Sequence, residues 1–404
     1  MSEKDKSFLP DAGLEHAVNL LRQVPKVEEN LPDRFPERGI GEVETLDLLA
    51  PHVLGRSARL DKSNALAHMD PPTPWITWAT ALWNARLNQN LLHPATAPFA
   101  IEAEKKVMDW LTPFFGMNGG HMCSGSTIAS LTALWAARDT TGIDKIIASK
   151  AAHISIEKAA KILGLPYEQI VTNTDGQIDS NKIGDLSNAC LVLTAGTTAT
   201  GVIDPLTLTG QAKWTHVDAA WAGPLCLSSN HAHLLDGIEK ADSVAVSAHK
   251  WFFQPKDSAL IMFRDVDLAN SAISLGGGYL AVPNIGVQGS RGASAIPLLA
   301  TMIAWGKEGI ADRIDHTMSM ATILATELIK EDNISLWAMP QTGVTVFRPL
   351  TMSTEEFYQC LPEGMFSTCM LDNEKWLRSV AANPLADIEE IVSIISEAIH
   401  GTIA

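Results

Sequence analysis

Basic charge is scarce in this chain. Lys and Arg number 30 against 46 Asp and Glu over 404 residues, a formal net charge of −16, and no run of Lys or Arg occurs. A nucleic-acid partner needs a basic stripe to meet the phosphate backbone, so that class is not expected. Long apolar runs are lacking too. None approaches the roughly 18 residues a membrane helix needs, and no span is predicted. Met1-Ser2-Glu3-Lys4-Asp5-Lys6 leads into no apolar core, so no secretory signal is expected. Five cysteines (Cys123, Cys190, Cys226, Cys360, Cys369) fall without CxxC spacing. An odd, scattered set predicts reduced thiols and a cytoplasmic setting. His231-Ala232-His233 has no supporting Cys or carboxylate pattern, so no metal site is predicted. No G-x-S-x-G elbow is present, which argues against a serine hydrolase.

What is present fits a globular metabolic protein. The hydrophobic fraction is 46% and the charged fraction 19%, with length enough for more than one domain. The first 60 or so residues are rich in Pro, Glu and Arg, with one helix-like stretch at 14–24. The prolines in His68-Met69-Asp70-Pro71-Pro72-Thr73-Pro74-Trp75 require an irregular segment. Helical spacing follows at Ile101, Val107, Met108 and Leu111, and again at Ile128, Leu131, Leu134 and Trp135. Short strand-like runs then alternate with helices, at 145–148, 169–172, 190–194, 214–217, 244–246 and 259–263. Such alternation predicts an α/β fold with a mostly parallel central sheet flanked by helices. A Gly-rich segment, Leu275-Gly276-Gly277-Gly278-Tyr279-Leu280, has the composition of an active-site loop. Helical periodicity returns over 293–329, and a last helix carries Ile388, Ile391, Val392, Ile395 and Ile399. We divide the chain into an N-terminal dimerisation segment (1–62), a large domain (63–303) and a small C-terminal domain (304–404).

Ligands of parallel sheets sit beyond the carboxyl ends of the strands. Two predicted strands end in reactive groups there. Thr215-His216-Val217-Asp218-Ala219-Ala220 delivers a carboxylate, and Ser243-Val244-Ala245-Val246-Ser247-Ala248-His249-Lys250-Trp251 delivers a His-Lys pair. A lysine can form a Schiff base with an aldehyde cofactor, and an aspartate can hold a pyridinium nitrogen protonated. That is the minimum equipment of a pyridoxal-phosphate enzyme; the bland alternative is a pair of ordinary polar strand ends. Gly119-Gly120-His121-Met122-Cys123-Ser124-Gly125-Ser126-Thr127 opens a helix and reads either as an anion cradle or as a plain Ser/Thr cap. It is neither a Walker loop nor a G-x-G-x-x-G fingerprint. His153 stands before another helix, as a cap or as a ring stacked on a planar cofactor.

Together these residues resemble the group II pyridoxal-phosphate-dependent amino-acid decarboxylases of the fold-type-I, aspartate aminotransferase-like superfamily. The resemblance covers most of the chain, through Glu102 and Trp110, Ser124-Gly125-Ser126, His153 with Lys158-Ala159-Ala160, Gly196-Thr197-Thr198, Asp204-Pro205, Asp218-Ala219-Ala220, His249-Lys250-Trp251 and Gly289-Ser290-Arg291. It implies a fold-type-I enzyme with an N-terminal clasp and a small C-terminal α+β domain, acting as a homodimer on a small amino acid. Lys250 is then the Schiff-base lysine, Asp218 the partner of the pyridine nitrogen and His153 the stacking histidine. Gly125, Ser126, Ser247 and His249 are phosphate ligands, Thr197 offers a cofactor-side hydroxyl and Ala220 leaves room for the ring. Tyr279 is similar to the loop tyrosine that donates a proton after carbon dioxide leaves. Ser247 stands where the family has Asn, and Gly292 where it has a second Arg. The activity implied is decarboxylation of an L-amino acid to its amine. The alternatives are a carbon–carbon lyase or aldehyde-forming variant of the same fold, and a non-catalytic cofactor-binding module. The resemblance does not choose the amino acid.

Overall fold

The computed structural model describes residues 12–23 and 30–401. The chain forms two units, 1–59 and 60–404. In the first, α1 (Ala12–Arg22) and α2 (Glu42–Val53) are joined by His16 Nε2 and Asp47 Oδ1 at 2.6 Å. Leu14, Val18 and Leu21, spaced as one helical stripe, are exposed within α1. The helix expected over 14–24 thus ends at Arg22, and Val24 lies outside the described residues.

The second unit opens with α3 (Trp75–Leu87) and α4 (Pro98–Leu111). Then follow β1 (Gly119–Cys123), α5 (Ser126–Thr141), β2 (Lys145–Ser149), α6 (Ile154–Leu163), β3 (Tyr167–Ile170), β4 (Ala189–Thr194), β5 (Trp214–Asp218), β6 (Ser243–Val246), β7 (Ala259–Phe263) and α7 (Val266–Ile273). The seven strands form one sheet in the order β1-β7-β6-β5-β4-β2-β3. All run parallel except β7, which is antiparallel to both β1 and β6. Strand alternation divides the core between two faces. Ile146, Ala148, Cys190, Val192 and Ala245 pack with α5, α6 and α7. Ile147, Leu191, Leu193, Val217, Val244 and Val246 pack with α4 on the other side. Both faces are covered, which is why β4 to β7 are buried from end to end and read as continuous apolar runs.

A two-residue ladder, β8 (Ser274–Leu275) with β9 (Asn284–Ile285), closes the base of the Gly-rich hairpin. The long α8 (Ala295–Ile329) is broken at Gly306, whose φ is 65°. Beyond it β10 (Ile334–Leu336), β11 (Val344–Pro349), α9 (Thr354–Gln359), β12 (Ser367–Leu371), β13 (Glu374–Val380) and α10 (Ile388–His400) complete the chain. Their four strands make an antiparallel sheet, β10-β11-β13-β12, packed on Met320, Leu324 and Leu328 of α8 and Ile391 and Ile395 of α10.

The architecture is the α/β fold expected, with three local differences. β1 lies within the segment that the sequence offers as an anion cradle or a helix cap, because Gly119 and Gly120 mask a strand held by pairing with β7. β3 begins two residues before the run at 169–172, and Thr172 instead makes an isolated bridge to Ile178. α3 went unforeseen because its Trp and Thr residues have little helical preference of their own.

Candidate active site

Five parallel strands deliver the chemistry, each from its carboxyl end. β1 leads into Ser124-Gly125-Ser126, β2 into His153, β4 ends at Thr194, β5 at Asp218, and β6 leads into Ser247 to Lys250. Asp218 is buried next to Thr194 across the sheet, and its Oδ1 accepts the Ala220 N–H at 3.1 Å. Ala219 and Ala220 are both buried and small, so the carboxylate faces little side-chain bulk of its own turn.

Lys250 lies in the tight turn after β6, where its N–H donates to Ser247 O at 3.2 Å and its carbonyl accepts the Phe253 N–H at 2.9 Å. Burial holds the ammonium below its usual range, while Asp218 and Asp70 push it back up. A lysine with a lowered pKa is a better nucleophile toward an aldehyde. His153 caps α6: Nδ1 accepts the Ser155 N–H at 3.2 Å and lies 2.8 Å from Ser155 Oγ. Nε2 is left for chemistry outside the helix. Burial lowers the His153 pKa, Asp218 opposes that, and Lys250 and Lys158 add to it.

The anion cradle is the second part of the site. Gly125 precedes α5, and no side chain caps the helix N-terminus. A methyl group built on Gly125 would sit 3.9 Å from His249 Cε1, so the turn and the imidazole face the same space. His249 Nδ1 and Ser247 Oγ are buried with no hydrogen-bond partner, as is Thr194 Oγ1. Buried polar atoms are seldom left unpaired, and each such group calls for an occupant. Burial pushes His249 down to about 4, with Lys256 and Lys250 contributing, so the ring is neutral near pH 7. Orphaned donors at an uncapped helix start fit a phosphate. With Lys250 and Asp218 beside them, the residues present fit pyridoxal phosphate.

Two expected residues have other company. The Thr197 hydroxyl is used inside its own turn, 2.9 Å from Thr200 Oγ1 and accepting the Val202 N–H at 3.2 Å. Tyr279 is 76% exposed on the hairpin between β8 and β9. Among the described residues no hydrogen bond links it to Lys250, His153 or Asp218.

Several neighbours gain their contacts only in the folded chain. Trp221 and Trp251 stack with ring centroids 4.1 Å apart and planes 13° from parallel, joining the Asp218 turn to the Lys250 turn beneath the site. Their indoles donate to Thr342 and Thr317. Arg291 forms a two-pronged pair with buried Glu104, which also accepts the Met122 N–H and so ties the segment after the hairpin to β1. Asp70 in the Pro-rich segment pairs with Lys256, and Arg378 donates to Thr198 O and Ala67 O. Trp251 and Arg291 already stand in the motifs that carry the resemblance, and Asp70 in the Pro-rich segment, whereas Glu104, Lys256 and Arg378 left no sequence signal.

The conserved domain of the pyridoxal-dependent decarboxylases matches residues 58–349. The chain is 27% identical over 396 residues to an aspartate 1-decarboxylase of Aliivibrio fischeri, covering 83% of this chain and 72% of that protein. It is 25% identical over 428 residues to an L-2,4-diaminobutyrate decarboxylase of Acinetobacter baumannii, covering 89% and 84%. The fold is similar to that of Oryza sativa TDC with PLP and tryptamine, at a TM-score of 0.86, 19% identity and coverage of 100% and 99%. The chain belongs to the pyridoxal-dependent decarboxylase family. It is a pyridoxal-phosphate-dependent carboxy-lyase acting on an amino acid.

Proposed function

We propose that Lys250 carries the cofactor, that Asp218 partners its ring nitrogen and that His153 covers its open face. Bound there, pyridoxal phosphate supplies an electron sink for the bond to the departing carboxylate. The N–H groups of Gly125 and Ser126, Ser247 Oγ and His249 hold the phosphate. Asp218, which accepts the Ala220 N–H, would retain a proton on the ring nitrogen it faces. After carbon dioxide leaves, Tyr279 or His153 Nε2 returns a proton to the substrate carbon, which releases an amine. The carrying observation is the meeting of Lys250, Asp218 and His153 with the unpaired Ser247 Oγ and His249 Nδ1. A panel of L-amino acids offered to the cofactor-loaded protein tests it. Equal amounts of carbon dioxide and amine are expected; an aldehyde product, or no carbon dioxide while cofactor is bound, would refute it.

The finer organisation belongs to the same proposal. Residues 1–62 act as a dimerisation segment, 63–303 hold the cofactor and 304–404 form a small domain. A homodimer is supported by apolar side chains left in water on α3, where Trp75, Trp78 and Trp83 are 70%, 55% and 61% exposed. Five free cysteines support a cytoplasmic setting. Among the described residues no helix is long and apolar enough to cross a membrane.

A further inference from the structure

We infer that the site selects an amino acid carrying a second, cationic amino group, that Asp70 recognises this group, and that Lys256 stands in for it when substrate is absent. The inference rests on the decarboxylase reading above and adds the substrate class to it.

Asp70 is a fixed charge. The segment before it is anchored, with the Leu66 N–H donating to Met365 O, the Val380 N–H to Leu66 O, and Arg378 to Ala67 O. Met69 is buried, and Pro71, Pro72 and Pro74 lock the backbone after it. Lys256 is the opposite case. It sits on an exposed turn at the end of a four-carbon stem, and its side chain is 61% exposed although it pairs with Asp70. A pair with one such side chain is readily exchanged.

Lys256 is the member of the pair that the backbone sets near the candidate site, and it brings Asp70 with it through their ion pair. The His249 N–H donates to Ser258 O at 3.0 Å, which sets the Lys256 turn beside the phosphate ligands. Lys256 also lines a cavity of about 470 Å³ together with Ser124 and Ser258. Asp70 and Lys256 both act on Lys250 and on His249 through their charges.

Three kinds of side chain can be weighed against this pair. An aromatic ring laid over it would strip water from two charges and return no hydrogen bond. An acidic side chain could take Lys256 only from Asp70, and would then face an immobile carboxylate. A distal ammonium replaces the Lys256 head group like for like at Asp70, and the displaced lysine turns into water.

Steady-state kinetics of the holoenzyme test this, with L-2,4-diaminobutyrate, L-ornithine and L-lysine set against L-aspartate, L-glutamate and L-tyrosine. One of the diamino acids is expected to show the highest kcat/KM. Asp70→Asn should raise its KM between about tenfold and a hundredfold, the scale of losing a hydrogen bond to a charge, with kcat held within about threefold. Lys256→Met should leave that KM unchanged or lower it. As a second readout, 1,4-diaminobutane should compete better than 1-aminobutane in the native enzyme and equally in Asp70→Asn. Fastest turnover of an acidic or aromatic amino acid, or a KM loss in Lys256→Met rather than Asp70→Asn, overturns the assignment and leaves decarboxylation standing. Carbon dioxide from no amino acid overturns both.

Discussion

His153 shows how one side chain serves the helix and the site together. Its Nδ1 is committed to the N-terminus of α6, which orients the ring and leaves Nε2 free of the helix, with Asp218 and Lys250 near enough to act on the ring through their charges. The two readings open in the sequence, cap or cofactor-facing ring, are therefore compatible. Lys250→Ala should abolish covalent attachment of the cofactor while leaving the fold intact. Intact-mass measurement after borohydride treatment checks it, and a mass increase retained in the variant would refute the lysine assignment. Asp218→Asn should keep the cofactor bound but cut turnover severely, because a neutral amide cannot hold a ring nitrogen protonated. Near-normal kcat would make the carboxylate structural. Both residues were legible because a strand end offers few explanations for a buried Asp or for a His-Lys pair. Asp70, Lys256 and Arg378 were not, since a charge in a loop looks the same whether it faces water or a ligand.

At the level of elements, the hairpin between β8 and β9 is the exposed part of the site region. Its base is pinned by the two-residue ladder and by the Gly286 N–H donating to Ile273 O at 3.0 Å. Gly286 takes a φ of 77°, and a side chain there would meet His121 Nε2 at 2.7 Å, so the hairpin foot must be glycine. The tip carries Tyr279 away from the buried cluster, an arrangement suited to closing over bound substrate. Tyr279→Phe should slow amine formation by about 10²-fold, the scale of a lost general acid. Turnover within a few-fold of the native rate, with amine as the sole product, would return the proton transfer to His153. The strands were readable as apolar runs because both sheet faces are covered. β1 was hidden by its glycines, and α3 owes its helix to tertiary packing against α8 rather than to propensity.

For the whole molecule, buried histidines set the response to acid. Burial pushes His216 to about 4 and His121 to about 3, and His249 lies at about 4. Each sits below the unfolded value near 6.5, so its contribution to stability is full above about pH 6.5 and is lost as pH falls through the folded values. Asp204 acts the other way: burial raises it to about 6, so its contribution is lost as pH rises from the usual carboxylate range through that value. Three groups with larger shifts outweigh one. The urea midpoint of the apoprotein is expected to hold near neutrality and fall steadily below pH 6.5; a flat midpoint down to pH 5 would contradict neutral burial of these rings. Association is the second expectation at this scale. Sedimentation at assay concentration should give a dimer, because Trp75, Trp78 and Trp83 otherwise stay in water. A fully active monomer would contradict it.

By itself the sequence determined where most of the strands run along the chain and which polar groups stand at their ends. Periodicity is local and survives without partners, and Asp218, His249 and Lys250 lie at the ends of the runs that carry them. Only the tertiary structure decided which groups share a space. Gly125 and His249 are 124 residues apart by number yet face the same space, because only β7 separates β1 from β6, the strand that leads into Lys250. The Asp70–Lys256 pair and the stacked Trp221 and Trp251 have the same origin. Contacts of that range depend on how the sheet is ordered and covered, which no local pattern encodes.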